Sequence, residues 1–103
     1  MLKPGKPDAS SALWMKAVII YEPTGVSRDA IMAVFPRHKA LIDQFAARGE
    51  VLGIGAFAGG RGGSMGIFKD RAAAESFVAQ DPFVLEGLVA KYVIHDWSDE
   101  MLK

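Results

Sequence analysis

The chain has 103 residues, half of them apolar, so it can build one domain with a modest core and little interior for a ligand site walled on every side. Twelve Lys plus Arg balance twelve Asp plus Glu, which removes the positive field that binding to nucleic acid or to an acidic membrane draws on. There is no cysteine, which excludes disulfides, thiolate metal ligands and a cysteine nucleophile and fits a reducing cytoplasm.

Residues 1–12 are polar, carry Pro4, Gly5 and Pro7, and lack the apolar stretch of a signal peptide. They read as a flexible arm ahead of one domain over 13–103. The longest apolar run, Ala17 to Tyr21, falls far short of the roughly 20 residues that cross a bilayer, so a cytoplasmic protein with no membrane partner is expected.

The stretch LWMKAVIIY, Leu13 to Tyr21, is β-branched and aromatic and stops at the turn cluster Glu22-Pro23-Thr24-Gly25, which predicts a first strand. Ser27 can cap a short helical turn through Val34. Pro36 then suits the first turn of a separate helix, where its missing N–H would be unpaired anyway, and that helix runs to about Arg48 with Gly49 at its end. Leu41, Ile42 and Phe45 share one face of it, and His38 lies on the same face.

Val51 to Ala58 and Ser64 to Lys69 read as two strands around a glycine cluster. Asp70 caps a second helix from Arg71 to about Ala79, with Ala73, Ala74, Phe77 and Val78 as its apolar stripe. Asp81-Pro82 ends it and starts a further short turn. Leu88 to Trp97 is the last strand. The order β-α-β-β-α-β predicts an α+β, ferredoxin-like fold: a four-stranded antiparallel sheet with both helices on one face. The other face is left bare, and two such faces packed together would make a homodimer.

The glycine cluster, GIGAFAGGRGGSMG from Gly53 to Gly66, contains a literal dinucleotide-binding pattern. That motif needs a helix to open after the glycines and offer its N-terminal amides to the phosphates. Gly59, Gly60, Gly62 and Gly63 would each cost about 1 kcal/mol in a helix, and no Lys-Ser or Lys-Thr follows to make a phosphate loop. The cluster therefore reads as a hairpin needing positive φ angles. Gly53 and Gly55 are expected to be small because something approaches the strand, with Gly55 flooring a pocket under the first helix.

Two side chains can carry chemistry together. His38, on a covered face near a helix N-terminus, is placed where the macrodipole and burial favour a neutral imidazole, which is a general base near neutral pH. A core histidine satisfied by a backbone partner shows the same pattern, and the sequence alone leans that way. Asp81 has its own plain explanation as the cap of the Pro82 turn. Beside His38, however, a carboxylate would fix the imidazole tautomer and leave the other ring nitrogen for a substrate proton. His95, in the last strand beside Val93 and Trp97, reads as structural. No metal-ligand spacing and no serine-nucleophile elbow occurs, so neither metal nor cofactor is expected. Phe57 and Phe83 could present aromatic walls to a small planar substrate.

The segments PRHKALIDQFAARGEVLGIGAFAGG and AAAESFVAQDPFVLEGLVAKYVIHDW resemble the YCII-related family over roughly residues 15 to 97. Arg37, His38, Gly55, Ala73, Ala74, Asp81, Pro82, Phe83, Val84, Gly87 and Leu88 carry the resemblance. It implies a ferredoxin-like dimer of the α/β-barrel superfamily, a His38–Asp81 catalytic pair, and a pocket to which Arg37, Gly55, Phe57 and Phe83 contribute. A member of the family eliminates chloride from a chlorinated hydroxyquinol, which implies acid–base elimination or isomerisation on a small organic, cyclic or aromatic substrate without a cofactor. Ala56 departs from the proline that usually follows the strand glycine.

Two other readings use the same residues. The first is a dimer that binds a small metabolite in this pocket without turning it over. The second is a haem-binding barrel with His38 as axial ligand, which would have no need of the Asp81-Pro82-Phe83 turn.

Overall fold

Residue alternation along the first strand decides which way the molecule faces. The computed structural model describes residues 15–101. The arm at 1–12 and the expected strand start at Leu13 lie outside the described residues. In β1 (Lys16–Pro23), Ala17, Ile19 and Tyr21 are buried while Val18 and Ile20 between them are only half-covered, so one edge of the alternation meets the core.

The chain then forms α1 (Arg28–Ala47), β2 (Val51–Ala56), β3 (Ser64–Phe68), α2 (Arg71–Gln80), the single turn α3 (Pro82–Leu85) and β4 (Val89–Trp97). The sheet has the order β2-β3-β1-β4 with every neighbour antiparallel. Leu41 and Phe45 of α1, with Ala73, Ala74, Phe77 and Val78 of α2, join Ala17, Ile19, Tyr21 and Phe68 in one core, so both helices cover the same face. This is the ferredoxin-like α+β arrangement expected from the element order. No described helix is long and apolar enough to cross a membrane.

Helix α1 corrects one expectation. The turn after Ser27 and the helix after Pro36 are a single helix, with Pro36 inside it. Val34 lies four residues before His38 and is buried with His38, Leu41 and Phe45, so the face stays in phase across the proline. Burial of that continuous face outweighs the roughly 3 kcal/mol that an interior proline costs. Ser27 caps the helix through Oγ, which accepts from the Ala30 N–H at 3.1 Å. Gly49, at φ 71°, closes it: its N–H donates to the Ala46 carbonyl and that of Glu50 donates to the Phe45 carbonyl.

The glycine cluster is a hairpin, as expected. Gly59, Gly60, Gly62 and Gly63 take φ of 102°, 73°, 81° and 88°, and the Phe57 N–H donates to the Gly63 carbonyl at 3.0 Å to close the loop. Strand β2 ends at Ala56 rather than Ala58. The expected close approach to Gly53 and Gly55 does not occur within the described residues, where a Cβ at either would meet nothing within 4 Å.

Candidate functional site

Helix phase delivers His38 to the interior, and the break between α2 and α3 delivers Asp81 to meet it. Pro82 cannot continue α2, so Asp81 leaves the helix in extended geometry (φ −68°, ψ 119°) and turns its carboxylate inward. Its Oδ1 accepts from the Phe83 N–H at 3.1 Å, the capping bond expected of this turn, and the same oxygen lies 2.7 Å from His38 Nδ1. The capping role and the pairing role thus coexist in one atom.

A third donor went unread in the sequence. The Tyr21 hydroxyl donates to Asp81 Oδ2 at 2.6 Å from across the core. Asp81 is fully buried, and Tyr21 and His38 keep only 6% and 7% of their surface. With donors on both oxygens the carboxylate acts purely as an acceptor, and Nδ1 of His38 must then carry the proton. Burial first, and the Asp81 carboxylate second, hold the Tyr21 hydroxyl far above the usual phenol range, so it remains a donor. The sequence signal for it is the place of Tyr21 at the end of the apolar run Ala17 to Tyr21, since a tyrosine buried with such a strand needs a partner for its hydroxyl.

Aromatic rings enclose the imidazole. Phe83 stacks on it with centroids 4.0 Å apart and planes 13° from parallel, Phe77 meets it edge-on at 6.0 Å, and Phe35 lies tilted at 6.0 Å. Nε2 has no hydrogen-bond partner among the described residues, and the side chain keeps 9% exposure, so the ring is not sealed off. His38 also lies well past the first turn of α1. The expected macrodipole contribution is therefore corrected: it fades within one turn of the helix start, and the group that acts on the ring is Asp81.

The remaining expected site residues separate from this centre. Arg37 turns outward and forms an ion pair with Glu86 at the end of α3, tying α1 to the turn that carries Asp81. The pair holds the Arg37 guanidinium above and the Glu86 carboxyl below their usual ranges, through their mutual hydrogen bond. Gly55 pairs with Met65 on the sheet face away from the helices, opposite to Tyr21 and Asp81. Phe57 is 44% exposed, and its ring packs at the Gly63 hairpin rather than against His38. His95 is exposed on the bare sheet face opposite Val18. Among the described residues no three His, Asp or Glu side chains cluster as metal ligands would.

A cleft of about 550 Å³ between α2, α3 and β4 is lined by Arg71, Val84, Leu85 and Tyr92 among others, and neither His38 nor Asp81 reaches it. Beside Tyr21 and Phe77 there is a gap of about 10 Å³, room for about one water.

Strand order, helix placement and the buried pair define a ferredoxin-like α+β domain with a His–Asp centre between its helices and sheet. The model of the YCII-related domain matches residues 15–98, and the chain belongs to that family. Among solved structures it resembles the 5-chloro-2-hydroxyhydroquinone dehydrochlorinase TftG of Burkholderia phenoliruptrix AC1100, in complex with 2,5-dihydroxybenzoquinone. The two are 22% identical, with 84% of this chain and 96% of that one covered at a TM-score of 0.71. A conserved protein of Methanosarcina mazei Go1 is 12% identical, with 86% and 99% covered at a TM-score of 0.57. These likenesses establish the fold. No curated protein matches the chain in sequence.

Proposed function

We propose that this protein is a small enzyme in which His38 and Asp81 perform general acid–base chemistry, elimination or isomerisation, on a small hydroxylated ring. The observation that carries the reading is the buried 2.7 Å contact between His38 Nδ1 and Asp81 Oδ1, with no partner for Nε2 among the described residues. Asp81 fixes the tautomer, Nε2 takes a proton from the substrate, and the carboxylate stabilises the imidazolium that results. In a dehydrochlorination Nε2 takes a hydroxyl proton and returns it to the chlorine-bearing ring carbon. A second hydroxyl then loses its proton, its electron pair moves through the ring, and chloride leaves with the C–Cl pair, giving a quinone for a net loss of HCl. The likeness to a dehydrochlorinase supports this class. General acid–base catalysis contributes about 10² to 10⁴ in rate, enough for a substrate that is already activated.

The same reading includes a homodimer that buries the bare sheet face. Val18, Ile20, Met65 and Ile67 are half-covered there, and Val93 and Trp97 keep 36% and 37% of their surface. A second copy supplies matching apolar area without new residue types.

Chloride release from 5-chloro-2-hydroxyhydroquinone and from a panel of halogenated hydroxylated rings tests the reading. His38→Ala and Asp81→Asn should each lower turnover at least about tenfold with the oligomer intact. Full activity in both variants would overturn the assignment. Tight binding of 2,5-dihydroxybenzoquinone with no turnover across the panel would replace it with a metabolite-binding dimer.

A further inference from the structure

The glycine hairpin is not absorbed by the acid–base chemistry, yet it touches the strand end that carries Tyr21. A Cβ added at Gly63 would lie 3.2 Å from the Tyr21 carbonyl oxygen and 3.3 Å from the Phe57 ring, and one at Gly62 would lie 2.8 Å from Pro23 Cβ. The first is tight and the second too close for any real side chain. Ser64, next in the chain, pairs directly with Tyr21 in the sheet. The loop is therefore folded down on β1, and only glycine permits both its φ angles and its closeness.

From that braced strand end Tyr21 reaches Asp81 Oδ2, the oxygen opposite the one that His38 uses. A carboxylate held by Oδ1 alone could rotate about its Cβ–Cγ bond. With Tyr21 on the second oxygen its plane is set, and with it the direction in which the Nδ1 proton must point.

We propose that Tyr21 is the positioning residue of the His38–Asp81 pair, and that the hairpin through Gly62 and Gly63 holds Tyr21 in register for that task. The proposal rests on the acid–base reading for its catalytic meaning. Its physical content, a carboxylate oriented from β1, stands without it.

The test reads the His38 ring directly. In ¹⁵N-labelled protein the Nδ1 proton, buried and bonded to Asp81, should give an exchange-protected downfield resonance. Tyr21→Phe removes only the donor oxygen and should speed exchange of that proton about tenfold or more, the factor expected when a charged acceptor loses a hydrogen bond. Gly63→Ala should do the same by displacing the strand end. Two controls separate positioning from general weakening. Ile19→Val trims the core on the same strand, and Gly59→Ala strains the same hairpin at φ 102° where a Cβ meets nothing within 4 Å. Both should lower the melting temperature and leave the Nδ1 proton protected.

An Nδ1 proton unchanged in Tyr21→Phe, or equally disturbed by the two controls, would overturn the proposal. If the resonance responds as expected while no pair variant alters turnover, positioning by Tyr21 stands and the acid–base function falls. Where turnover is measurable, Tyr21→Phe should lower kcat with KM little changed.

Discussion

Phe83 stacks on His38 with ring centroids 4.0 Å apart and planes 13° from parallel, and Phe83 lies two residues after the aspartate that holds the same imidazole by its edge. One turn of chain, Asp81 to Phe83, therefore fixes both the in-plane direction and the tilt of the ring. Phe83→Leu keeps most of the apolar volume and loses the stacking. We expect a stability loss of about 1 kcal/mol in urea denaturation and a fall in turnover from a ring free to tilt. Unchanged turnover would mean that Asp81 alone orients His38.

Asp81→Asn should be costly well beyond the site. The amide has one acceptor oxygen where the carboxylate has two, while three donors from Tyr21, His38 and Phe83 converge there. One of them is left unsatisfied in the core, or the imidazole must adopt the other tautomer to accept from the new NH₂ group. A loss of about 2–4 kcal/mol in chemical denaturation is expected, and a loss below about 1 kcal/mol would contradict the buried geometry.

Stability should fall in base for an identifiable reason. Burial and the Asp81 carboxylate hold the Tyr21 phenol well above its ordinary value of 10.0. Below that value both the folded and unfolded chains keep the proton, and stability is indifferent to pH on this account. Above it the unfolded chain releases the proton and the folded chain does not, so stability declines by up to about 1.4 kcal/mol per pH unit. Tyr21→Phe removes this one-proton slope, and equal slopes for the two proteins between about pH 10 and pH 11 would contradict it.

The proposed dimer through the bare sheet face predicts a clean mutational effect. Ile20 points to that face at the centre of the sheet, paired with Met65 on one side and Val93 on the other. Ile20→Lys places a charge in the middle of the apolar patch, and it should sediment as a folded monomer while the parent sediments as a dimer. A variant that stays dimeric would place the interface elsewhere.

Pro36→Ala tests the continuity of α1. An N–H at this position can complete the helix ladder to the Met32 carbonyl, and alanine removes the ring clash with the preceding turn. A gain on the order of 1–2 kcal/mol is expected, smaller than the full propensity difference because proline also restricts the unfolded chain. A loss of stability would show that the proline shapes the helix for a purpose.

Much of this protein is written along its sequence. β-Branched and aromatic runs that stop at turn residues mark the strands, helical phase puts His38 on the buried side of α1 with Leu41 and Phe45, and Asp81-Pro82 marks the stop between α2 and α3. All of these depend on residues within a few positions of one another, which is the range over which periodicity, capping and proline geometry act. The hairpin is legible for the same reason, since four positive-φ glycines specify a turn wherever they stand.

Only the tertiary structure decided what meets what. Tyr21 and Asp81 are 60 residues apart and His38 and Asp81 are 43 apart, and no local pattern records a partner at that distance. The continuity of α1 through Pro36 is likewise a matter of packing, because burial of Val34 in phase with His38 overrides a local preference to stop. Gly55 shows the converse: its place in a motif says nothing of which sheet face it lies on, and pairing with Met65 puts it away from the His–Asp centre. Propensity and period are summed along the chain, whereas the site is made by contacts that exist only after the chain has closed on itself.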